Sequence, residues 1–487
     1  MIFNSFQFLV FLPCVIFLYF AIPSKWRWLF LLLSSYYFYM SWKPEYAFLI
    51  VASTAIDYYS GMRMSAITDK KKRRPFLMLS IFTNLSLLLL FKYFNFFNES
   101  ARAVFDSFNI FYNVPEFNMF LPVGISFYTF QTLSYSIDVY RGTTKAEKHF
   151  GYFALFVSYW PQLVAGPIER SGDLLPQLRE EFKFEYNRVR EGLIRIGWGF
   201  FKKVVVADRL SIFVQQVYQH PGEHGGFAVV LATWMFAFQV YCDFSGYSDI
   251  AIGSARMMGV NLTDNFKTPY FSKTIREFWQ RWHITLSVWI RDYLYFPMGG
   301  SRVTYSRLMF NTMFTFAVMG LWHGANWTFV MFGVIHGVLL SVRRTADKFF
   351  PNLKFDLGPR LKWLTFAISA FWVFNLTCIP DIFFCSATSG DAMIQIQSIF
   401  TVPNTTHTLI HNSLTGADTS VQFILSWVFI AFLLFFDIRM YTNKDETIEG
   451  LITRQPVAVR WTFYVVLLIF VGWFAMTTNA AFIYFQF

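Results

Sequence analysis

Long apolar runs separated by short polar loops recur from one end of the chain to the other. Segments able to cross, or nearly cross, a hydrocarbon core of about 30 Å fall at 6–22, 27–42, 46–62, 76–97, 117–138, 150–168, 192–218, 227–258, 306–322, 327–342, 361–380, 420–438 and 461–479. Some are short enough to be re-entrant or interfacial, which leaves about eleven or twelve crossings. No Pro/Gly/Ser-rich linker divides them and no internal repeat is visible, so 1–487 reads as one transmembrane domain. The predicted fold class is an all-α polytopic membrane protein.

Three stretches depart from this pattern. Glu169 to Glu191 mixes both charge signs with Leu174, Leu175, Leu178 and Phe182, which predicts a helix lying along the membrane surface. From Phe271 to Tyr295 the apolar residues Phe278, Trp279, Trp282, Leu286 and Ile290 recur at helical spacing. That spacing predicts an amphipathic, partly inserted helix with His283 turned inward. Tyr241 to Asp249 places two carboxylates, two hydroxyls and two tyrosines in an apolar region. Buried polar groups need partners, so Asp243 and Tyr247 either line a wet cavity or brace a structural network.

Composition agrees with a membrane protein. Of 487 residues, 55% are hydrophobic, 21% aromatic and 15% charged, against about 25% charged in a soluble domain. The net charge of +11 sits in short loops, where the positive-inside rule accounts for it and no nucleic-acid partner is implied. Lys25, Arg27 and the run Lys70 to Arg74 belong on the cytoplasmic side, which puts the N-terminus outside. No Lys or Arg occurs from Trp363 to Ile438, so 381–420 reads as an outer polar loop. No basic residue precedes the first apolar run, so it is expected to be retained as an anchor, not cleaved as a signal. The four cysteines form no zinc spacing. Cys378 and Cys385 could pair if the backbone between them bends, but on a continuous helix they would lie about 10 Å apart, too far for a disulfide.

The chemistry concentrates between Phe278 and Trp327. His283 follows Trp282, and His323 follows Trp322 in the element Gly320-Leu321-Trp322-His323-Gly324-Ala325-Asn326-Trp327. An ionisable side chain at membrane depth is costly and reads as functional. The spacing of His323 and His336 does not suit a metal, and His407-x-x-x-His411 lacks the glutamate of the zinc-protease pattern. No Walker A loop, dinucleotide fingerprint or nucleophile elbow occurs. No metal and no tightly bound cofactor are expected. What remains is histidine as a general base, kept neutral by burial. The small residues Gly320, Gly324 and Ala325 would let backbone and substrate approach closely. A hydrogen-bonded structural histidine is the competing reading. Trp279, Trp322, Asn326 and Arg291 are further candidates to line a substrate path, although Arg291 is also placed to reach lipid headgroups.

The chain resembles the membrane-bound O-acyltransferases, in the bacterial branch that O-acetylates exopolysaccharides such as alginate. The resemblance runs through Leu121 to Tyr128, Ala165-Gly166-Pro167-Ile168, Tyr241 to Asp249, Trp279 to Pro297 and Leu321-Trp322-His323-Gly324. It implies a multi-helix shell around a core thinned from both sides, with interfacial and re-entrant helices. His323 would be the catalytic histidine and His283 a companion that orients or polarises a reacting group. It also implies an acyl thioester donor (acetyl-CoA or carrier-linked), an extracytoplasmic acyltransferase partner protein, a cell-envelope polysaccharide acceptor and residence in the cytoplasmic membrane. D-alanyl transfer to teichoic acid and peptidoglycan O-acetylation are the neighbouring alternatives. A transporter or a non-catalytic scaffold is the alternative from another class.

Overall fold

The computed structural model describes residues 1–117, 121–351, 355–401, 417–443, 446–476 and 482–483, with backbone alone for 417–420. Every regular element among them is helical. Among the described residues, six helices are long and apolar enough to cross a bilayer: Lys70–Ser107, Gly226–Met257, Trp327–Phe349, Pro359–Cys385, Val421–Thr442 and Val457–Phe474. The protein is therefore a multi-pass membrane protein. Several other apolar segments form shorter helices than their hydropathy predicts. Within 117–138 the helix starts only at Ile125, after Gly124 at φ +79, and within 150–168 it ends at Ser158.

The chain falls into two compact units, Met1–Ile196 with Ile250–Thr263, and Gly197–Asp249 with Asp264–Phe487. The first unit is built on α1 (Phe6–Ala21), α2 (Ser24–Met40), α3 (Tyr46–Ala66), α4 (Lys70–Leu88), α5 (Phe94–Ser107), α6 (Ile125–Arg141), α7 (Phe150–Ser158) and α8 (Ser171–Arg179). The Asp69 carboxylate accepts the Lys71 N–H at 2.8 Å and so starts α4. A π turn at Leu89–Tyr93 carries that helix into α5. Phe3, Phe8, Phe11 and Phe38 surround Trp160 with ring centroids 5.2–6.4 Å away, an aromatic core of large buried area.

The expected surface helix over 169–191 is broken. α8 forms there with Leu174, Leu175 and Leu178 buried, the chain then extends, and the last residues of the stretch open α9 (Tyr186–Phe200). Phe182 in the extended link packs over Gly259, where an added Cβ would come within 2.2 Å of the ring and where φ is +98. Filling that contact holds the link extended.

The second unit contains a π turn at Phe201–Ala207, α10 (Asp208–Tyr218), most of α11 (Gly226–Met257), α12 (Ile275–Arg281), α13 (Ile284–Ile290), α14 (Tyr305–His323), α15 (Trp327–Phe349), α16 (Lys362–Cys385), α17 (Ser389–Thr401), α18 (Ala417–Thr442), α19 (Ile448–Thr453) and α20 (Val457–Phe474). Burial separates central from peripheral spans. In α11, 72% of the apolar window is covered by protein; in α20 only 11% is, the rest being left for lipid tails.

Helices α14 and α15 cross at closest approach through glycines. A Cβ on Gly320 would lie 2.2 Å from the Phe329 carbonyl oxygen, and one on Gly333 would lie 2.1 Å from that of Phe316. Small residues that let backbones touch are the usual adhesive between helices in lipid.

The stretch 381–420 is not a loop throughout. Apolar, buried Ile382, Phe383 and Phe384 extend α16 to Cys385. The Thr388 hydroxyl accepts the Asp391 N–H and the Asp391 carboxylate accepts the Thr388 N–H, a capping box that starts α17. Residues 402–416, with His407 and His411, lie outside the described residues. All four cysteines are free.

Candidate active site

The amphipathic segment 271–295 is not one helix, and the departure creates the site. Thr274 caps α12 by accepting the Glu277 N–H at 3.1 Å, and the helix ends after Arg281. His283 then adopts the left-handed conformation, φ +42 and ψ 54, before α13 begins. That conformation costs about 1–2 kcal/mol for a residue with a side chain, so something must enforce it.

Asn265 does so. Its carbonyl oxygen accepts the Ile284 N–H at 2.9 Å, and its side-chain Oδ1 accepts the Thr285 N–H at 3.2 Å and the Thr285 hydroxyl at 2.9 Å. The same Oδ1 lies 3.2 Å from His283 Nδ1. A backbone N–H can only donate, so the atom facing Thr285 is an oxygen, and Nδ1 of His283 must carry the hydrogen toward it. Nε2 is then the basic nitrogen of that ring.

His283 is fully buried. Its ring meets Phe244 of α11 at 4.7 Å, Trp322 at 5.7 Å and His323 at 6.5 Å between centroids. Burial, with the nearby His323 ring adding to it, pushes the His283 imidazole well below its ordinary value of 6.5, so the ring is neutral.

His323 is the last residue of α14 and is 4% exposed. Phe332 and Phe384 each lie 5.6 Å from its ring, and Trp322 lies 5.1 Å away. Gly324 behind it leaves no room for a Cβ, which would sit 2.1 Å from the Phe329 ring. The glycines therefore act through packing: they fix where the end of α14 points.

Other sequence candidates separate. Trp322 joins the histidine pair. Trp279 packs at 4.8 Å against a different buried histidine, His336 of α15. Asn326 caps α15 by accepting the Thr328 N–H at 3.0 Å and donates to the Ala387 carbonyl at 3.3 Å. Asp243 belongs to a buried ionic network. Lys203 Nζ lies 2.5 Å from Asp243 Oδ1 and 2.9 Å from Asp208 Oδ1, while Lys202 Nζ lies 2.7 Å from Asp249 Oδ2. Asp243 Oδ2 also accepts the Ile483 N–H at 2.8 Å, and the Tyr247 ring packs on Phe482 at 4.5 Å. This arrangement is a brace: α11 shows Asp243 to Lys203, Asp249 to Lys202, and Phe244 to His283.

A cavity of about 390 Å³ is lined by neighbours of the two histidines in the chain, but by neither histidine itself. Its walls include Trp279, Phe316 and Met319 together with Arg276, Arg291 and Arg344. Ile284, next to His283, also lines it, and Met319 lies one helical turn before His323. Arg344 is held in the wall by Thr312 Oγ1 at 2.5 Å and Tyr295 OH at 3.2 Å. Arg291 pairs with its neighbour Asp292 at 2.8 Å.

Sequence reasoning missed Asn265, Arg276 and Arg344. Nothing local marks Asn265, which acts 18 residues away on His283. The two arginines were hidden among ordinary basic positions near helix ends. Among the described residues no group of three or more His, Cys, Asp or Glu side chains is placed to hold a metal ion.

Comparison with known proteins places the chain in a family. Residues 146–388 match the MBOAT, membrane-bound O-acyltransferase family. The chain is 40% identical over 370 residues to the probable alginate O-acetylase AlgI of Azotobacter vinelandii, covering 75% of this chain and 72% of that protein. It is 33% identical to a peptidoglycan O-acetyltransferase of Helicobacter pylori, covering 72% and 70%. It is 26% identical to a teichoic acid D-alanyltransferase of Bacillus subtilis, covering 52% and 65%. With the matched region taking in both histidines, the cavity and the glycine crossing, the chain belongs to the membrane-bound O-acyltransferase family and is a membrane O-acyltransferase.

Proposed function

We propose that this protein is an O-acetyltransferase of the cytoplasmic membrane that passes acetyl from a cytoplasmic thioester, acetyl-CoA or a carrier-linked equivalent, toward a cell-envelope polysaccharide. The observation that carries the reading is the pairing of His283 and His323, with ring centroids 6.5 Å apart, on the two elements whose residues Ile284 and Met319 line a cavity walled by apolar rings and arginines. Arginine suits the anionic groups of a thioester donor, and the apolar walls suit its acyl end. The likeness to alginate and peptidoglycan O-acetylating relatives favours acetate and a glycan acceptor.

His323 acts as general base. Its neutral imidazole takes the proton of an acceptor hydroxyl as that oxygen attacks the thioester carbonyl. The tetrahedral intermediate collapses with loss of the thiolate, which recovers the proton from the imidazolium. One C–O bond forms and one C–S bond breaks. His283, held in one tautomer by Asn265, orients the reacting group. The acceptor hydroxyl belongs to an extracytoplasmic acyltransferase partner or to the glycan itself. The basic run Lys70–Arg74 at the start of α4 lies on the cytoplasmic side, and the N-terminus lies outside.

The test measures base-labile acetate on surface glycans of cells lacking the protein, complemented with wild type or His323→Ala. Acetate that returns only with wild type supports both the reaction and the base. Full rescue by His323→Ala would sink the base assignment, and missing D-alanine in place of acetate would move the protein to teichoic acid modification.

A further inference from the structure

One helix of the first unit is longer than a membrane is thick. From Lys70 to Ser107, through α4, the π turn at Leu89–Tyr93 and α5, it runs 38 residues. That is about 57 Å at a rise of about 1.5 Å per residue, against about 40–45 Å for a bilayer with its headgroups. Its exposed apolar residues form one line. Phe82 and Leu89 are seven positions apart, Leu89 and Phe97 eight, and Phe97 and Val104 seven; each is 47–71% exposed. Seven positions make close to two turns of α-helix, and the extra one between Leu89 and Phe97 is taken up by the π turn. Without that turn, everything after Tyr93 would be rotated by about 100°. The lipid-facing line of α4 therefore continues along α5, and exposed Phe108 carries it one turn further.

The far face of α5 is polar and already occupied. The helix ends in a Schellman motif. Asn109 takes the left-handed conformation at φ +55, its N–H bonds the Asp106 carbonyl at 3.0 Å, and the Ile110 N–H bonds that of Phe105 at 2.9 Å. The chain turns back there and runs beside α5 to Phe117 without regular structure. Asn95 serves both backbone groups of Phe117: its amide donates to the carbonyl at 3.1 Å and its Oδ1 accepts the N–H at 2.8 Å. Arg102 and the Asn98 amide donate to the Val114 carbonyl at 3.0 and 3.2 Å. The Tyr112 hydroxyl donates to Asn98 Oδ1 at 2.9 Å, and its ring stacks on Phe105. Side chains of α5 thus serve backbone groups that an irregular segment in water would leave to solvent. Non-helical backbone at membrane level needs such partners.

We infer that α5 and its return, 94–117, form a hairpin lying in the interface of the leaflet away from Lys70–Arg74, with Phe97, Val104 and Phe108 against acyl chains. Lipid is the occupant because the apolar line is one with that of the preceding span, and so long a helix keeps the whole line in lipid only by leaning over. The π turn is a place where a helix can bend to do so. Glu99, Asp106, Asn113 and Glu116 are exposed and face headgroups and water. A polar back above an apolar stripe is the form of an interfacial helix.

The experiment uses the full-length protein in phospholipid vesicles, with Cys14→Ser and Cys385→Ser removing the two cysteines that are not buried. One nitroxide-labelled cysteine is added at a time, as Phe82→Cys, Val104→Cys, Phe108→Cys or Asn113→Cys. Power saturation compares collisions with oxygen, which concentrates in lipid, and with a water-soluble nickel chelate. The oxygen-to-nickel ratio at Val104 and Phe108 falls on the lipid side, as at Phe82, and severalfold above that at Asn113. Either position carries the test if the other variant does not fold. Nickel contact dominating at Val104 or Phe108 overturns the inference, since α5 then stands in water. Few collisions with either reagent there also overturn it, because protein and not lipid then covers the line. A lipid-like ratio at Asn113 overturns the orientation of the hairpin.

Discussion

Asn265 Oδ1 and His283 Nδ1 lie 3.2 Å apart, and the same oxygen accepts the Thr285 N–H and hydroxyl. One side chain thus sets the tautomer of a buried histidine and holds its strained backbone. Asn265→Ala removes both functions, and transfer should fall by about tenfold to a hundredfold, toward the lower end of what a positioned acid–base group contributes. Asn265→Asp keeps the acceptor oxygens and should recover part of the rate. Acetate transfer per correctly inserted molecule checks this. A rate in Asn265→Ala equal to wild type would remove the role assigned to Asn265.

The neutral state of His283 has a consequence for stability. Its folded pKa is depressed below 6.5 because burial disfavours the cation. Above about pH 6.5 the ring is neutral in folded and unfolded chains alike, and its contribution is fully present. As pH falls below that value the unfolded chain binds a proton that the folded chain resists, so stability is lost on the acid side. Unfolding midpoints measured from pH 7.5 to 5 should therefore drop more steeply in wild type than in His283→Asn, where no proton is bound in either state.

The apolar spans and the two histidines were legible because each is a local signal, a run of hydrophobic residues or an ionisable group among them. The break at His283 was not. Periodicity through Phe278, Trp282 and Leu286 favours an unbroken helix, and only the remote Asn265 clamp overrides it. Asp243 read as either cavity or brace because its partner Lys203 lies forty residues away on a π turn. The 381–420 stretch lacked basic residues and so looked like a loop, yet buried apolar side chains and the Thr388–Asp391 box make much of it helical. In each case the deciding contact is distant in sequence or is a cap of a few atoms.

The α14–α15 crossing predicts unequal costs for the same substitution. Gly320→Ala places a methyl 2.2 Å from the Phe329 carbonyl oxygen, which is backbone and cannot swing aside. It should destabilise by about 1–3 kcal/mol, the usual cost of overpacking, and displace His323 at the end of the same helix. Gly472→Ala, in α20 with nothing within 4 Å of the new methyl, should be neutral or gain about 0.5–1 kcal/mol from helix propensity. Unfolding midpoints in detergent distinguish the two.

Lys203 lies between Asp243 and Asp208, with side chains no more than 5% exposed. Lys203→Met leaves two buried carboxylates without their cation and should cost about 3–5 kcal/mol. Adding Asp243→Asn removes one of the stranded charges, so the double variant should be more stable than Lys203→Met alone. Folded yield and unfolding midpoint of the two variants test this. An equal loss in both would mean that the cluster is held by packing and not by charge.

Arg276 and Arg344 line one cavity but are bound differently, and this separates their predicted effects. Arg344 is part of the wall, bonded to Thr312 and Tyr295, so Arg344→Ala should disturb cavity shape and lower kcat as well as donor affinity. Arg276 is exposed on α12, and no hydrogen bond or ion pair ties its guanidinium to the described residues. Its service to an anionic donor would be a screened surface attraction of about 0.5–1 kcal/mol. Arg276→Ala should therefore raise KM for the thioester about two- to fivefold with kcat unchanged, the mark of lost uniform binding. Added salt should raise the wild-type KM toward that of the variant, because screening removes the same attraction. Donor-dependence curves of the reconstituted transferase at low and high ionic strength make the comparison. A variant whose KM matches wild type at low salt would place the donor's anionic group elsewhere.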